Sequence, residues 1–314
     1  MDRLGAVEAL GRIIANVEQV IRGKPRVVEA AVLALASDGH LLIEDAPGVG
    51  KTMLAKSIAR SIDAIFKRVQ ATPDLLPSDI TGVAIYHQSN REFEFIPGPI
   101  FANIVVVDEV NRATPRTQSA LLEAMEERQV TAEGVSRVVP TPFFVIATQN
   151  PLEYHGTYPL PEGQLDRFLI ALSIGYPAAA DERKVVQEQL MEHPLEHLQP
   201  VVSLSEIEEI QARVRETKVE APVVEYAVSL AGATRTHPEL ILGAGPRGSL
   251  GLIRVAQSRA LVQGRDYVLP DDIKAVAPMV LGHRVVLKPQ LRLGPGAGRK
   301  IINDLLKQIP VPTQ

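Results

Sequence analysis

The stretch "EDAPGVGKT", Glu44 to Thr52, follows the apolar run "LLI" (41–43) and runs into a segment with helical spacing, Leu54, Ile58 and Ile62 on one stripe. Strand, glycine turn and helix in that order make a phosphate-binding loop, although the strict pattern G-x-x-x-x-G-K-[ST] has glycine where this chain has Asp45. The positions that carry the chemistry are present. Gly48 and Gly50 let backbone N–H groups turn inward around phosphate oxygens. Lys51 is expected to neutralise the β- and γ-phosphates, and Thr52 to offer its hydroxyl to Mg²⁺. The positive N-terminal end of the following helix adds to the same site. Asp45 stands where strand becomes loop, outside the anion nest, so the missing glycine removes no phosphate donor. The expected nucleotide-binding set is Pro47, Gly48, Val49, Gly50, Lys51, Thr52 and Met53, joined by Asp108.

Outward from the loop, strands are expected at "FKRVQ" (66–70), "NIVVVDE" (103–109), "FFVIAT" (143–148) and "FLIALSI" (168–174). Helical patterns fall between several of them. Apolar strands alternating with helices predict an α/β fold, a parallel sheet covered by helices on both faces. Before the loop, Leu10, Ile13, Ile14, Val17 and Ile21 follow helical spacing up to Gly23. Pro25 opens a second helix that Gly39 stops. Two segments break the rhythm, "VAIYHQSNREFEFI" (83–96) and "QVTAEGVSRVV" (129–139). They read as hairpins with turns at Ser89-Asn90 and Glu133-Gly134. After "GYPAAADE" (175–182) the strand signal fades and helical patterns take over, one of them behind the capping pair Ser203 and Glu206. The expected division is an α/β nucleotide-binding domain over 1–178, with both hairpins, and a smaller all-α domain over 179–314.

Polar residues stand where the strands end. Asp108 and Glu109 close "IVVVDE", and a buried parallel strand delivers such acids to the sheet edge where ligands bind. Asp108 is expected to hold Mg²⁺ through its water shell. Glu109 is expected to orient or deprotonate the attacking water. Asn150 ends "VIATQN" at the same edge, where an amide could hydrogen-bond the γ-phosphate or the water. Phosphoryl transfer needs positive charge on the γ-phosphate, and beside Lys51 the candidates are Arg167 in "QLDRFL" and Arg247 in "GPRGS". Taken singly, each arginine reads as a solvated or ion-paired side chain.

Composition bounds the rest. The 314 residues are 46% hydrophobic and 22% charged, the balance of an ordinary globular protein. The net charge of -4 demands no nucleic-acid partner. With no cysteine, disulfides, thiolate metal sites and cysteine nucleophiles are excluded. No secretory signal opens the chain and no apolar run nears the roughly 18 residues that span a bilayer, so a cytoplasmic location is expected. "ILGAGPRG" imitates a dinucleotide fingerprint at Gly243, Gly245 and Gly248, but "LIL" is too short for a central strand and the surroundings read as helical. The seven histidines show no metal-ligand spacing.

The order "DAPGVGKT", "VVVDEVNRA", "ATQNP", "GTYPLPEGQLDRF" and "GPRGSLGLIRVAQSRAL" resembles the MoxR family of AAA+ ATPases from about residue 10 to about 290. The most specific parts are "NRATPRTQSALLEAMEE" and "TYPLPEGQLDRF". The resemblance implies that Lys51 and Thr52 belong to the Walker A loop and Asp108 and Glu109 to Walker B. It makes Asn150 sensor 1, Arg167 the arginine finger and Arg247 sensor 2, acting in cis or in trans. The hairpin at 83–96 matches the helix-2 insert, that at 129–139 the pre-sensor-1 hairpin. Asp45 is usual in such loops. His155 stands where a more acidic residue is expected, and "GPRG" where "SPRA" is commoner.

The resemblance further implies ATP and Mg²⁺ as cofactors, a homo-oligomeric ring of six, and a chaperone-like role in assembling protein complexes, often beside a von Willebrand A domain partner. Two other readings compete. A nucleic-acid motor would need basic hairpin tips, and only Arg91 and Arg137 lie near them. A nucleotide-gated switch would not need the base that Glu109 offers. No nucleic-acid or membrane partner is expected.

Overall fold

A computed structural model describes the chain except residues 47, 90, 133, 151–155, 192–193, 292–295 and 313–314, and the side chains of Gln189 and Met191. Helix α1 (Arg3–Glu18) starts at Asp2, whose carboxylate accepts the Gly5 N–H. Helix α2 (Pro25–Ala36) carries proline in its first turn and buries Val28, Val32 and Leu35. It ends before Gly39, where a side chain is excluded by contact: a Cβ there would lie 2.5 Å from the Leu169 Cβ.

The elements that follow are β1 (Leu41–Glu44), α3 (Lys51–Ser61), β2 (Phe66–Gln70), α4 (Pro77–Thr81), β3 (Gly82–His87), β4 (Glu92–Pro97) and β5 (Ile104–Asp108). Then come α5 (Pro115–Glu127), β6 (Gln129–Ala132), β7 (Val135–Val138), β8 (Phe144–Gln149), α6 (Glu162–Leu165) and β9 (Ile170–Leu172). Five of the strands form one parallel sheet in the order β2-β5-β8-β1-β9, as the alternating pattern predicts. The period of two decides what each face buries. Leu41, Ile43, Val106, Ile146 and Ile170 join the core made with α1, α2 and α3. Leu42, Val105, Val107, Val145 and Ala171 join a second core with Leu121, Leu122 and Met125 of α5. Both expected hairpins form, as the antiparallel pairs β3-β4 and β6-β7. Their expected turn residues Asn90 and Glu133 lie outside the described residues.

The remainder is mainly helical: α7 (Ala179–Met191), α8 (Pro194–His197), α9 (Leu204–Glu216), α10 (Ala221–Thr236), α11 (Pro246–Val262), α12 (Pro270–Leu281) and α13 (Ala297–Gln308). The Ser203–Glu206 capping pair closes reciprocally, with Ser203 N–H on Glu206 Oε2 at 2.7 Å. One departure from the all-helical expectation is a small antiparallel ribbon of β10 (Leu240–Leu242) and β11 (Val286–Leu287). "LIL" is thus a strand, but outside the parallel sheet, so no dinucleotide fold surrounds the glycines behind it. The core on the α1–α3 side of the sheet continues through Ile207, Leu252, Val255, Ile273, Val280 and Ile302.

Candidate active site

Strands β1, β5 and β8 run parallel and end together, so their C-terminal residues share one edge of the sheet. There the loop bends with Gly48 at φ 84° and Gly50 at φ 94°, backbone that glycine adopts without strain. Val49 and Met53 flank it, and Pro47 lies outside the described residues. Lys51 Nζ donates to the Asp45 carbonyl at 2.9 Å. Asp45 is not in a left-handed conformation, so no glycine is required at that position. Its carboxylate accepts from Ala46 N–H at 2.9 Å, Ser173 Oγ at 2.9 Å and Gly175 N–H at 2.6 Å. The aspartate therefore fastens the loop to the turn behind β9.

Asp108 is buried at the end of β5. Thr52 Oγ1 donates to its Oδ2 at 3.3 Å and Thr148 Oγ1 to its Oδ1 at 3.3 Å. Glu109 has φ 56°, uncommon for a residue with a side chain, and its N–H is held by Thr148 Oγ1 at 2.9 Å. Asn150 is buried at the end of β8 beside these groups. The structure thus brings Lys51, Thr52, Asp108, Glu109 and Asn150 to one edge.

Two neighbours were not predicted from the sequence. Arg68 Nε donates to Asp108 Oδ2 at 2.6 Å, and Gln70 Nε2 to Glu109 Oε2 at 3.0 Å. Both project from β2, whose register sets Gln70 beside Asp108. Arg112 also reaches Glu109 Oε2, at 3.3 Å. An apolar hollow of about 420 Å³ adjoins the loop, lined by Ile21, Val49, Met53, Ile174, Tyr176 and Val185 among others. It has the dimensions and lining of a small-molecule site. The segments that line it flank Gly23 and Gly175, both at positive φ.

Arg167 and Arg247 lie elsewhere. Strand β9 runs parallel to β1 and pairs Ile170 with Leu41, and Leu169 N–H bonds the His40 carbonyl. Arg167, three residues before β9, is therefore at the N-terminal edge of the sheet, and the loop is at the C-terminal edge. A four-residue strand separates the two edges by about 13 Å before any loop is counted. Arg247 opens α11 on the same side as Arg167, and both pair with Glu126 of α5, Arg167 Nε at 2.9 Å from Oε2 and Arg247 on Oε1. The Arg284 guanidinium is buried beside them against Asp166, at 2.8 Å. Burial draws it below its ordinary pKa and Asp166 opposes that shift.

The residues at the C-terminal edge fit a nucleotide with magnesium. Around Gly48 and Gly50 no atom would meet an added Cβ, so the cradle is open to a ligand. Thr52 and Asp108 offer one hydroxyl and one carboxylate. That is the small protein share usual for Mg²⁺, which takes its other ligands from phosphates and water. Among the described residues no group of three or more acids or histidines forms a dedicated metal cage.

Residues 40–170 match the family described as "ATPase family associated with various cellular activities (AAA)", and residues 232–305 match the AAA lid domain. The chain is 48% identical to the uncharacterized protein YeaC of Bacillus subtilis (strain 168), over 97% of this chain and 95% of that protein. It is 40% identical to Chaperone MoxR1 of Mycobacterium tuberculosis, over 98% of this chain and 83% of that one. A solved structure of a candidate ATPase from Cytophaga hutchinsonii superposes with a TM-score of 0.92 at 35% identity, over 99% of this chain and 97% of that one. Relatives matched over nearly the full length, an AAA domain, an AAA lid and the motifs gathered at one sheet edge lead to one assignment: the chain belongs to the MoxR family of AAA+ ATPases.

Proposed function

We propose that the protein is a Mg²⁺-dependent ATPase that works as a head-to-tail ring, each ATP lying between two copies of the chain. The observation that carries this reading is the separation of the loop from Arg167 across the sheet. A guanidinium at the N-terminal edge does not reach a phosphate on the C-terminal edge of its own chain, but it reaches one presented by a neighbour. Because Arg247 shares Glu126 with Arg167, the same argument assigns it to the neighbour's nucleotide, in trans. Such a contact is heterologous, and it makes a ring when the rotation between subunits closes. Six subunits are expected from the family.

In this reading Gly48, Gly50 and Lys51 hold the phosphates, and Ile21, Met53, Ile174 and Val185 receive the base. Bound magnesium supplies charge neutralisation across the phosphate oxygens, with Thr52 and Asp108 as its protein contacts. Glu109 takes the proton of the attacking water once it leaves Gln70 and Arg112, and Asn150 orients that water. Residues 1–178 and 179–314 act as two domains, and hydrolysis changes the angle between them. Similarity to a protein named Chaperone MoxR1 supports a chaperone-like remodeller, with a von Willebrand A domain protein as candidate partner. Such a protein works where ATP is, in the cytoplasm. The nucleic-acid reading loses support at the hairpins. Arg137 is spent on the hairpins themselves, 3.8 Å over the Phe95 ring of β4 and bonded to the Ala132 and Val135 carbonyls of its own hairpin.

The test is Arg167→Ala. An arginine finger supplied by a neighbour is worth about 10³–10⁵ in rate, so assembled activity should fall by at least about 10³-fold. Nucleotide affinity of the single chain should stay the same. Unchanged turnover in the assembled variant, or brisk turnover by a solitary wild-type chain, rules out the shared site.

A further inference from the structure

On the face that carries Arg167 and Arg247, one carboxylate answers both. Arg167 Nε lies 2.9 Å from Glu126 Oε2, and Arg247 donates to Glu126 Oε1. The three side chains come from separate elements: the last turn of α5, the segment between α6 and β9, and the first turn of α11. Two guanidiniums repel each other, so a shared carboxylate is what holds them on one spot. The cavity behind them measures about 320 Å³. Five arginines and three carboxylates line it, an excess of two positive charges. Arg128 and Arg284 already have their own acids, Asp38 and Asp166. Of the other three, Arg167, Arg247 and Arg254, the first two share Glu126.

The hold is weak. Arg167 Nε is a buried atom, yet its contact with Glu126 is not aligned as a hydrogen bond. The side chains are partly open, 28% for Arg167, 31% for Glu126 and 51% for Arg247. Ion pairs this exposed contribute at most about 1 kcal/mol each. A phosphate group with more charge and three acceptor oxygens outcompetes a single carboxylate for the same two guanidiniums.

We propose that Glu126 is a built-in substitute for a terminal phosphate. It keeps Arg167 and Arg247 paired in the free chain and yields them to the terminal phosphate of a nucleoside triphosphate presented by the next copy. This rests on the shared-site reading above. It adds a nucleotide sensor to the subunit contact: with a diphosphate next door the carboxylate retakes both arginines, and with a triphosphate it is displaced.

The experiment uses the full chain with its own loop disabled by Lys51→Ala, dilute enough to sediment as a monomer, and inorganic tripolyphosphate as the probe in calorimetry. Adding Glu126→Gln should tighten tripolyphosphate binding about tenfold, and adding Arg167→Ala to that should abolish the gain. Glu126→Asp, which shortens the same acid, should give an intermediate gain. Glu127→Gln, on the next and exposed residue of α5, should give none. Equal affinity with and without Glu126→Gln overturns the proposal, as does a gain that survives Arg167→Ala. The two readings fail separately. If the tripolyphosphate gain appears but assembled turnover ignores Arg167→Ala, the anion site stands and the neighbour's phosphate is not its ligand.

Discussion

At the scale of single residues, Asp108 and Glu109 are held by their own chain. Arg68 puts a fixed positive charge 2.6 Å from Asp108, the carboxylate assigned to magnesium, and Gln70 and Arg112 hold Glu109. A guanidinium and a divalent cation cannot share that carboxylate without repulsion. On the proposed reading, magnesium at Asp108 displaces Arg68, which is half exposed. Removing it should ease metal entry. Since a pair with one exposed partner is worth about 1 kcal/mol, Arg68→Ala should lower the Mg²⁺ concentration that half-saturates Mg-nucleotide binding by roughly fivefold. Fluorescent-nucleotide titration at a series of Mg²⁺ concentrations reads this without turnover. A higher magnesium requirement in the variant would mean that Arg68 serves the phosphates instead. The sequence revealed Lys51, Thr52, Asp108 and Glu109 because each belongs to a short motif whose spacing is local. It did not reveal Arg68 or Gln70, whose partners lie some forty residues away and meet them only through the register of β2 on β5. Nor did it reveal that Asp45 would fasten the loop to Ser173 and Gly175, since those residues come from beyond β9.

At the scale of elements, His40 joins three of them. It lies buried in the turn between α2 and β1, where Nδ1 accepts the Val145 N–H of β8 at 3.1 Å. Nε2 is therefore the protonated nitrogen and donates to the Met125 carbonyl of α5, also at 3.1 Å. The bond from Val145 needs the neutral ring, because a protonated Nδ1 has no lone pair with which to accept. Burial first, and the Arg128 charge second, lower its pKa from 6.5 to about 3. The unfolded chain takes up this proton near pH 6.5, whereas the folded chain refuses it until about pH 3. Its stabilisation is complete above pH 6.5 and is lost as pH falls toward 3. Between pH 6.5 and 5 the loss from this one group comes to roughly 1.5 kcal/mol. His40→Gln, which cannot titrate, should be less stable at neutral pH but shallower by that amount on the acid side, in urea unfolding at fixed pH steps. Parallel curves for the two proteins would remove His40 as the cause. His283, lowered chiefly by burial, keeps its own share of the slope in both. The large elements were legible for a simple reason. A parallel strand buried on both faces is a continuous apolar run, as "IVVVD" is in β5, whereas β2 lies at the sheet edge and keeps Lys67, Arg68 and Gln70. The β10-β11 ribbon was not. Its strands are three and two residues long, pair across more than forty residues that include two helices, and carry no periodicity to read.

At the scale of the molecule, the helical part grips the sheet at both edges. Arg299 of α13 approaches Glu44 at 3.5 Å, at the end of β1 where the loop begins. At the other edge Arg284, just past α12, holds the segment around Arg167. It donates to the Asp166 carboxylate at 2.8 Å and to the carbonyls of Phe168 at 2.6 Å and Leu169 at 3.1 Å. His283 bonds the same Phe168 carbonyl at 2.9 Å. If nucleotide tilts the lid as proposed, the tilt is carried to Arg167 through a side chain that is 3% exposed and cannot give way without losing several bonds. Arg284→Lys separates coupling from charge. Lysine keeps a cation beside Asp166 but has no planar fork with which to span three acceptors. The cost should be at least about 1.5–3 kcal/mol, since a hydrogen bond to a charged donor contributes about that much and at least one of the three is lost. The variant should stay folded and bind nucleotide as tightly as wild type, because the loop is untouched. Assembled turnover should nevertheless fall well beyond what partial unfolding explains, as Arg167 no longer follows the lid. Wild-type turnover from an assembled, fully folded Arg284→Lys ring would show that the two edges work independently, and the lid would then have to act on the neighbour by a route other than the segment it holds.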